Sequence, residues 1–366
     1  MNTPLLPLSS GTTNHGIHHI DSLPILVLFP HSRCNCRCLM CDIWKIRQAR
    51  EITAADLRPH LESLRALQVR RVVFSGGEPL MHSDLAPLTG ALRAEGIRLT
   101  LLTAGLLLER HAPLVTNCFD DVIVSLDGPP AIHDQIRGVP RAFDRLAKGV
   151  KSLRQLRPEL PIHARTTVQR ANCVQLRETV RSAKDLRLNS ISFLAVDTTS
   201  QAFNRPEGWT TERQNTVNIS PEEVEALALE MEALIREHAD DIDSGLIRES
   251  AGKLRGIVAH FRAHLGQVKP VAPRCNAPWV SAVIESDGAV RPCFFHPTFG
   301  NIHDNTIADV LNSEAATRFR AELDIPRNPI CQRCVCSLSV RAERITPAAT
   351  HTVLPPETAT ELELQV

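Results

Sequence analysis

Short apolar runs alternate with amphipathic stretches over the first half of the chain. The runs are continuous, which is typical of strands buried on both faces of a parallel sheet. They predict six strands, at residues 24–29, 71–75, 97–103, 121–126, 162–168 and 190–196. Apolar residues at helical spacing lie between them, as in the leucines that follow a capping box at Thr53. Six β/α repeats therefore predict a parallel sheet covered by helices.

Polar motifs decide between two architectures that fit this repeat, an open doubly wound sheet and an incomplete barrel. Each of the first four strands is followed by such a motif: a cysteine loop at 34–41, Gly-Gly-Glu-Pro at 76–79, Thr-Ala-Gly at 103–105 and Ser-Leu-Asp-Gly at 125–128. Polar residues after successive strands are typical of the C-terminal face of a β/α barrel, whereas an open sheet concentrates its site at one switch point. We therefore expect an α/β fold with a partial (β/α)6 TIM-like barrel over residues 24–198.

The pattern changes after the sixth strand. Residues 199–270 are first polar and turn-rich and then amphipathic, which predicts a connecting helical segment. Residues 271–343 alternate as a β-hairpin does and then become helical, which predicts a small α+β domain. The two ends, 1–23 and 344–366, are predicted to be disordered or irregular tails because they are rich in turn-forming and polar residues.

Composition and charge narrow the class of protein. The 366 residues are 43% hydrophobic and include 41 basic and 41 acidic side chains. This size suits one large and one smaller domain, and the balanced charge gives no basic surface of the kind that general nucleic-acid binding needs. The apolar run at 24–29 is far shorter than the roughly 20 residues that span a bilayer, and no signal peptide precedes it. We expect a cytoplasmic protein without a membrane or nucleic-acid partner.

Nine of the eleven cysteines fall into two groups, four at residues 34–41 and five after residue 274. Because no signal peptide indicates secretion, two metal sites are favoured over a disulfide scaffold. In the first group, Cys34, Cys38 and Cys41 are spaced x3 and then x2. Three thiolates on one loop can hold four irons and leave one iron open to a chelating ligand.

The Gly-Gly-Glu-Pro motif suits the amino group of such a ligand. Gly76 and Gly77 have no Cβ, so the backbone can approach a ligand closely and offer its polar groups. Glu78 adds a carboxylate that can accept a hydrogen bond from an ammonium group. A ligand that chelates the open iron through its amine and carboxylate would have its amine held here.

These motifs resemble those of the radical S-adenosylmethionine enzymes: Cys-x3-Cys-x2-Cys after the first strand, GGEP after the second, and VSLDG at 124–128. The resemblance covers about residues 24–196 and implies a partial (β/α)6 barrel. It implies a [4Fe-4S] cluster, held by the three cysteines, that binds S-adenosylmethionine. The cofactor would be cleaved to a 5′-deoxyadenosyl radical that abstracts hydrogen from an unactivated C–H bond. The implied contacts to the cofactor are Gly76, Gly77, Glu78 and Pro79 for the methionine amine, and Ser125 and Asp127 for the ribose or methionine part.

Three further residues near this motif are interpreted separately. The residue before the last cysteine is usually an aromatic near the adenine in this family. Here it is Met40, whose thioether can pack against an aromatic ring. Cys36 lies outside the spacing and is expected to be a bystander. Arg165, on the fifth strand, either points inward and pairs with a carboxylate of the methionine moiety or of the substrate, or is a surface arginine.

The second group of cysteines consists of Cys275, Cys293, Cys331, Cys334 and Cys336. Their spacing fits a four-cysteine zinc site as well as an iron-sulfur cluster. The order, with Pro-Trp after the first cysteine and Asp-Gly before the second, resembles the C-terminal SPASM and twitch extensions of radical enzymes. That resemblance implies one auxiliary [4Fe-4S] cluster on Cys275, Cys293, Cys331 and Cys334. Cys336 would be spare or would substitute for Cys334.

The expected function is oxidation or rearrangement of a small biosynthetic metabolite, with electrons from a flavodoxin- or ferredoxin-type donor. A ribosomally made peptide is the alternative substrate. Maturases of that kind often have an N-terminal leader-binding domain, whereas only about 23 residues precede the first strand here. A third hypothesis is a non-catalytic, metal-stabilised binding or sensor protein. It would predict loss of the open-iron motif or of GGEP, and both are intact.

Overall fold

The computed structural model describes residues 18–340, so the predicted C-terminal tail at 344–366 and the first 17 residues lie outside the described part of the chain. Residues 18–23 form neither helix nor strand. They are held in place because the side chain of Asn312 donates to the carbonyl of Ile20 at 3.0 Å and accepts from its N–H at 2.8 Å. The start of the described chain is therefore fastened to the C-terminal region.

The described residues form one nine-stranded sheet. Its strands are β1 (Ile25–Leu28), β2 (Arg71–Phe74), β3 (Arg98–Thr103), β4 (Asp121–Ser125), β5 (Ile162–Val168), β6 (Ser190–Ala195), β7 (Ser281–Ile284), β8 (Ala289–Arg291) and β9 (Gly300–Asn301). The order across the sheet is β6-β5-β4-β3-β2-β1-β7-β8-β9, and β1 to β6 pair in parallel. Each of these six lies inside a predicted apolar run, and the α/β fold with a partial barrel is confirmed.

Helices follow the strands as the periodicity predicts. Those of the barrel are α1 (Ala54–Leu57), α2 (Leu61–Ala66), α3 (Leu85–Ala94), α4 (Leu108–Cys118), α5 (Pro130–Arg137), α6 (Ala142–Leu156) and α7 (Leu176–Asp185). The connecting segment contains α8 (Thr211–Asn215), α9 (Pro221–Glu237), α10 (Ala239–Asp243) and α11 (Ala251–His264). The C-terminal region contains α12 (Ala277–Val280), α13 (Ile307–Leu311), α14 (Glu314–Glu322) and α15 (Pro329–Gln332). Within residues 18–340, none of the helices combines the length and apolar character needed to cross a bilayer.

The first helix shows how local sequence sets its bounds. Thr53 accepts from the N–H of Asp56 at 3.3 Å, and the Asp56 carboxylate accepts from the N–H of Thr53 at 2.8 Å. This is the capping box that the sequence predicts. The helix ends at Leu57 and does not continue through Leu61, Leu64 and Leu67, because Pro59 has no N–H to donate. Residues 58–60 instead form a 3₁₀ turn between α1 and α2.

The C-terminal hairpin extends the barrel sheet. Strand β7 pairs in parallel with β1, with Ile25 opposite Ser281 and Leu28 opposite Ile284, and β8 pairs antiparallel with β7. The backbone of β1 is fully buried, so an unpaired edge there would leave its polar groups without partners. The second cysteine group is therefore joined directly to the strand that leads into the first.

The connecting segment covers the opposite edge of the sheet. The N–H of Ile191 on β6 donates to Leu246 at 2.7 Å, and the N–H of Arg248 donates back to Ile191 at 3.0 Å. The Glu249 carboxylate accepts from the N–H of Phe193 at 2.9 Å. Residues 246–249 thus provide hydrogen-bond partners for the backbone of β6, as a short added strand would. They also place Glu249 beside the barrel interior.

Alternation along each strand separates two faces of the sheet. On β1, Leu26 and Leu28 pack under the helices in the main core. Their neighbours Ile25 and Val27 belong to a separate cluster on the concave face, which also contains Leu338 from the C-terminal region. Successive side chains of a strand point to opposite faces. The C-terminal region therefore fills the β1 and β2 side of the barrel interior.

The helix-covered core generates a stability prediction. Phe119 is fully buried, and its ring meets that of Phe74 edge to face with centroids 5.3 Å apart. We expect Phe119→Ala to lower the free energy of unfolding by about 3–5 kcal/mol, because the cavity cannot collapse fully. Leu156→Ala, at a side chain that is 55% exposed, is the control and should change it by less than about 0.5 kcal/mol. Chemical denaturation followed by circular dichroism measures both, and equal effects would contradict the burial of Phe119.

Candidate functional site

The predicted cluster cysteines come together on the loop after β1. Their sulfurs each receive a hydrogen bond: the N–H of Cys36 donates to Cys34 at 3.5 Å, the N–H of Ile43 donates to Cys41 at 3.4 Å, and the guanidinium of Arg137 donates to Cys38 at 3.6 Å. Hydrogen bonds to sulfur stabilise the negative charge of a thiolate. The donor set therefore fits a [4Fe-4S] cluster, for which soft thiolates are the preferred ligands.

Cys36 lies deeper than the three motif cysteines. Its side chain is 1% exposed. Hydrogen bonding to Cys34 and Cys38, together with burial, raises its pKa far above the ordinary value for a thiol. The hydrogen bond from Cys36 is also the main cause that lowers the pKa of Cys38, to about 7. Cys36 thus lies beneath the three motif cysteines, and its role as a bystander stays a prediction.

The glycine motif after β2 packs directly on the cysteine loop. The N–H of Glu78 donates to the carbonyl of Arg33 at 2.8 Å, and a Cβ on Gly77 would overlap that same carbonyl oxygen. Gly76 has φ +94°, and a Cβ there would lie 2.5 Å from the ring of Phe29. The two glycines are thus required for the contact between the loops, a reason that the sequence did not reveal.

Glu78 and Pro79 lie inside the protein, and their contact with the methionine amine stays a prediction. The Glu78 side chain is 1% exposed, and its carboxylate accepts from Thr103 Oγ1 at 2.8 Å, from the N–H of Ala104 at 2.8 Å and from the N–H of Leu80 at 3.1 Å. Burial raises the pKa of this carboxyl group despite those donors. Glu78 is therefore used to join the β2 and β3 loops, and Pro79 is buried behind it.

Asp127, the predicted ribose or methionine contact, is held by contacts within the protein. It is fully buried, its carboxylate forms an ion pair with the guanidinium of Arg137, and it accepts from the N–H of Thr167 at 3.1 Å. Ser125, two residues earlier, is only partly buried at the end of β4. Ser125 is the more accessible of the two residues, and the contact of both with the cofactor stays a prediction.

Arg165 points into the barrel. It lies opposite Ser125 in the register of β4 and β5, and its neighbours Ala164 and Thr166 are buried on the other face. Its Nε is buried without a hydrogen-bond partner, and burial lowers the pKa of the guanidinium, while Cys336 and Glu249 oppose that shift. The surface alternative is therefore wrong. Since no ion pair to Arg165 is found among residues 18–340, its guanidinium is suited to a ligand carboxylate.

Met40, on the cysteine loop, lies against Gln169 at the end of β5. The Nε2 of Gln169 is 3.6 Å from its sulfur, and Gln169 is fully buried. Sequence reasoning missed Gln169, because no spacing ties it to the motif. The pair forms an apolar and amide surface at the position where the family resemblance places the adenine.

The second cysteine group lines one cavity on the concave side of β1 and β7. All five cysteines contribute to its wall, together with the apolar side chains of Val27, Phe294 and Leu338. Sequence reasoning missed His296, whose Nε2 lies 3.3 Å from the sulfur of Cys331. Its spacing of x2 after Cys293 was a signal that could have found it.

The thiols of this cavity suit an iron-sulfur cluster, which cysteine thiolates bind. Four of them are also a ligand set that structural zinc uses. Burial raises the pKa of Cys331 to about 11 and of Cys336 to about 12, so both thiols would be deprotonated only on binding metal.

The connecting segment is fastened to the cysteine loop by contacts that sequence reasoning also missed. The indole N–H of Trp209 donates to the Asp42 carboxylate at 2.8 Å, and the guanidinium of Arg213 donates to the carbonyl of Leu39 at 2.6 Å. Arg205, fully buried, stacks on the Trp209 ring at 4.6 Å and pairs with Asp197 at 2.6 Å. These contacts fix the end of the loop that contains Cys41.

Comparisons with known proteins agree with the site. Residues 28–183 match the family model described as the radical SAM superfamily, and residues 275–335 match that of the SPASM iron-sulfur cluster-binding domain. The chain is 25% identical to an AdoMet-dependent heme synthase of Methanosarcina barkeri, over 78% of this chain and 82% of that protein. It is 24% identical to a PqqA peptide cyclase of Ruegeria pomeroyi, over 78% of this chain and 72% of that protein. The solved structure of native anSMEcpe with bound AdoMet has a similar fold, with a TM-score of 0.61, 19% identity and coverage of 85% and 86%.

The contact between the two loops can be tested at Gly77. We expect Gly77→Ala to reduce iron retention on the Cys34, Cys38 and Cys41 loop severalfold, because the methyl group must displace the carbonyl of Arg33. Gly90→Ala is the control, since nothing lies within 4 Å of its added Cβ and alanine favours a helix by about 1 kcal/mol. Iron and sulfide analysis after anaerobic reconstitution measures the effect. Full iron content in Gly77→Ala would show that the loop tolerates the overlap.

Proposed function

The chain is a radical S-adenosylmethionine enzyme with a C-terminal SPASM iron-sulfur domain, and we propose that it oxidises or rearranges a small biosynthetic metabolite at an unactivated C–H bond. One observation carries this proposal. The two cysteine sites lie on the same sheet, and Arg165 faces the barrel interior with both Ser125 and Cys336 near it. A ligand held by Arg165 would therefore lie between them.

Each cofactor has a set of residues suited to it. Cys34, Cys38 and Cys41 would hold the [4Fe-4S] cluster that, when bound, supplies the electron for reductive cleavage of S-adenosylmethionine to the hydrogen-abstracting 5′-deoxyadenosyl radical. The auxiliary [4Fe-4S] cluster would be held by Cys275, Cys293, Cys331 and Cys334, with Cys336 as the alternative to Cys334. The external donor that we propose is a flavodoxin or ferredoxin, because strongly reducing one-electron carriers suit such clusters.

The remaining residues bind and orient. The backbone of Gly76 and Gly77, supported by Glu78 and Pro79, would present polar groups to the methionine amine, and Ser125 would present a hydroxyl to the ribose or methionine part. Arg165 would hold a carboxylate. Met40 and Gln169 would form the surface against which the adenine packs. The connecting segment, fixed to Asp42 by Trp209, would limit the access of water to the site.

A small substrate is favoured over a peptide by the space on the concave face. The C-terminal region packs on Ile25, Val27 and Val73 through Leu338, so one side of the interior is already filled. The other side carries Arg165 and the buried Glu249, a polar surface suited to a compact, charged ligand. The relative named as a heme synthase supports the same class of substrate.

Modification of a ribosomally made peptide is the second candidate. It is favoured by the relative named as a PqqA peptide cyclase, which aligns with 78% of this chain. A non-catalytic sensor is not supported, because the two family models and the relatives named as synthases and cyclases are those of enzymes. Deuterium exchange between candidate substrates and 5′-deoxyadenosine separates the two substrate classes.

The cluster assignment is tested by iron content and product. Anaerobically reconstituted protein should hold about eight irons, four for each cubane, and should form 5′-deoxyadenosine from S-adenosylmethionine under a strong reductant. Replacement of Cys34, Cys38 and Cys41 together by Ala should leave about four irons and no product. Cys36→Ala is the matched control and should retain both. Continued formation of 5′-deoxyadenosine in the triple variant would contradict the assignment of these cysteines as cluster ligands.

The role of Arg165 is tested by binding. We expect Arg165→Ala to weaken binding of a carboxylate ligand about 10- to 100-fold, because a charge-assisted pair worth about 1.5–3 kcal/mol is lost. Arg165→Lys should retain part of the affinity for the carboxylate ligand, because it keeps the positive charge. The Kd for S-adenosylmethionine and the substrate-dependent rate of 5′-deoxyadenosine formation, measured side by side, identify whose carboxylate is bound. Arg181→Ala, on the exposed face of α7, is the control, and an Arg165→Ala variant that matches it in both measurements would contradict the proposal.

A further inference from the structure

A buried arginine next to the cysteine loop has no part in the proposed function. Arg137, the last residue of α5, is 7% exposed. One terminal nitrogen of its guanidinium donates to the sulfur of Cys38 at 3.6 Å, and the other forms an ion pair with the carboxylate of Asp127. Asp127 in turn accepts from the N–H of Thr167 at 3.1 Å. A single chain of contacts therefore connects the cluster loop, α5, the loop after β4 and strand β5.

Backbone contacts hold the C-terminal end of α5 against the cysteine loop. The N–H of Arg37 donates to the carbonyl of Arg137 at 2.9 Å, and the N–H of Leu39 donates to that of Ile136 at 3.0 Å. Gly138 follows with φ +61°, and a Cβ there would lie 2.5 Å from the carbonyl of Arg37. The C-terminal end of α5 thus pairs with the cysteine loop on either side of Cys38. This pairing holds the backbone of Arg137 beside the loop, and the ion pair with Asp127 orients its guanidinium.

A cation in this position acts on the charge of whatever the thiolates bind. The reduction potential of an iron-sulfur cluster depends on net charge, on hydrogen bonds to its sulfurs and on solvent exposure. Reduction adds one negative charge, which a nearby guanidinium stabilises, and the interaction is strong because burial lowers the local dielectric constant. The carboxylate of Asp127 opposes part of that effect. The two residues therefore form a pair with opposite influences on one electron transfer.

We propose that Arg137 and Asp127 set the reduction potential of the cluster held by Cys34, Cys38 and Cys41. Arg137 raises the potential through its charge and its N–H donation to Cys38, and Asp127 limits the rise. Both are positioning residues, since neither touches the substrate or the reacting atoms. The proposal rests on the assignment of the three cysteines as cluster ligands.

Opposite shifts distinguish this role from a structural one. Arg137→Gln removes the charge but keeps an amide N–H, so the potential should fall. Asp127→Asn keeps an oxygen that can accept from the N–H of Thr167 but removes the charge that opposes Arg137, so the potential should rise. We expect each to change the equilibrium constant for reduction about tenfold, or about 59 mV for one electron. A purely structural role would damage the site in both variants and would not reverse sign.

The experiment is a potentiometric titration of the reconstituted full-length protein followed by electron paramagnetic resonance. The signal that changes on addition of S-adenosylmethionine belongs to the Cys34, Cys38 and Cys41 cluster, and the auxiliary cluster in the same sample is an internal reference whose potential should not move. Arg141→Gln is the matched control, because this arginine is exposed and pairs with Asp144 at 3.0 Å. Arg137→Lys should stay close to the wild-type potential.

Each outcome bears on a separate claim. Opposite shifts of the two variants, with the auxiliary cluster and Arg141→Gln unchanged, support the proposal. Unchanged potentials, or shifts of the same sign, overturn it while leaving the proposed function intact. If Arg137→Gln holds no iron, Arg137→Lys and Asp127→Asn carry the test, and an unshifted Asp127→Asn then overturns it. Absence of any signal that responds to S-adenosylmethionine in the wild type would instead refute the cluster assignment.

Discussion

The site depends on the close approach of two loop backbones at the mouth of the barrel. The carbonyl of Arg33, one residue before the first cysteine, accepts from the N–H of Glu78. The two loops can approach this closely only because Gly77 has no side chain. The Glu78 carboxylate then binds the loop after β3 through Thr103 and Ala104. Three successive loops are thus joined by backbone geometry and one buried carboxylate.

A second set of buried charges extends this arrangement around the mouth. Arg137 joins Cys38 to Asp127, and Asp127 joins the loop after β4 to the backbone of β5. Such groups are costly to bury unless they are paired and hydrogen-bonded. The two acidic residues of the motifs, Glu78 and Asp127, both have such partners within the protein. The surface left for ligands is mostly backbone, Ser125 and the guanidinium of Arg165.

The edges of the sheet explain how the second cysteine site relates to the first. A parallel sheet that does not close into a barrel has two edges, and each needs partners for its backbone. Strand β7 provides them for β1, and residues 246–249 provide them for β6. Because β7 pairs with the strand that leads to Cys34, the domain that contains Cys293 is joined to the strand before the first group of cysteines.

The sequence by itself determined the six parallel strands, the partial barrel, the capping box at Thr53, and the two groups of thiols that define the chemistry. These features are local, since a strand follows from a run of apolar residues and a cluster loop from three cysteines at short spacing. Tertiary structure alone decided the directions of Glu78, Asp127 and Arg165, the insertion of β7 beside β1, and the roles of Arg137, Gln169 and His296. The partners of these residues are mostly distant along the chain, Arg137 and Cys38 being 99 residues apart. Whether a charge meets a ligand or another side chain depends on such contacts, which no local pattern encodes.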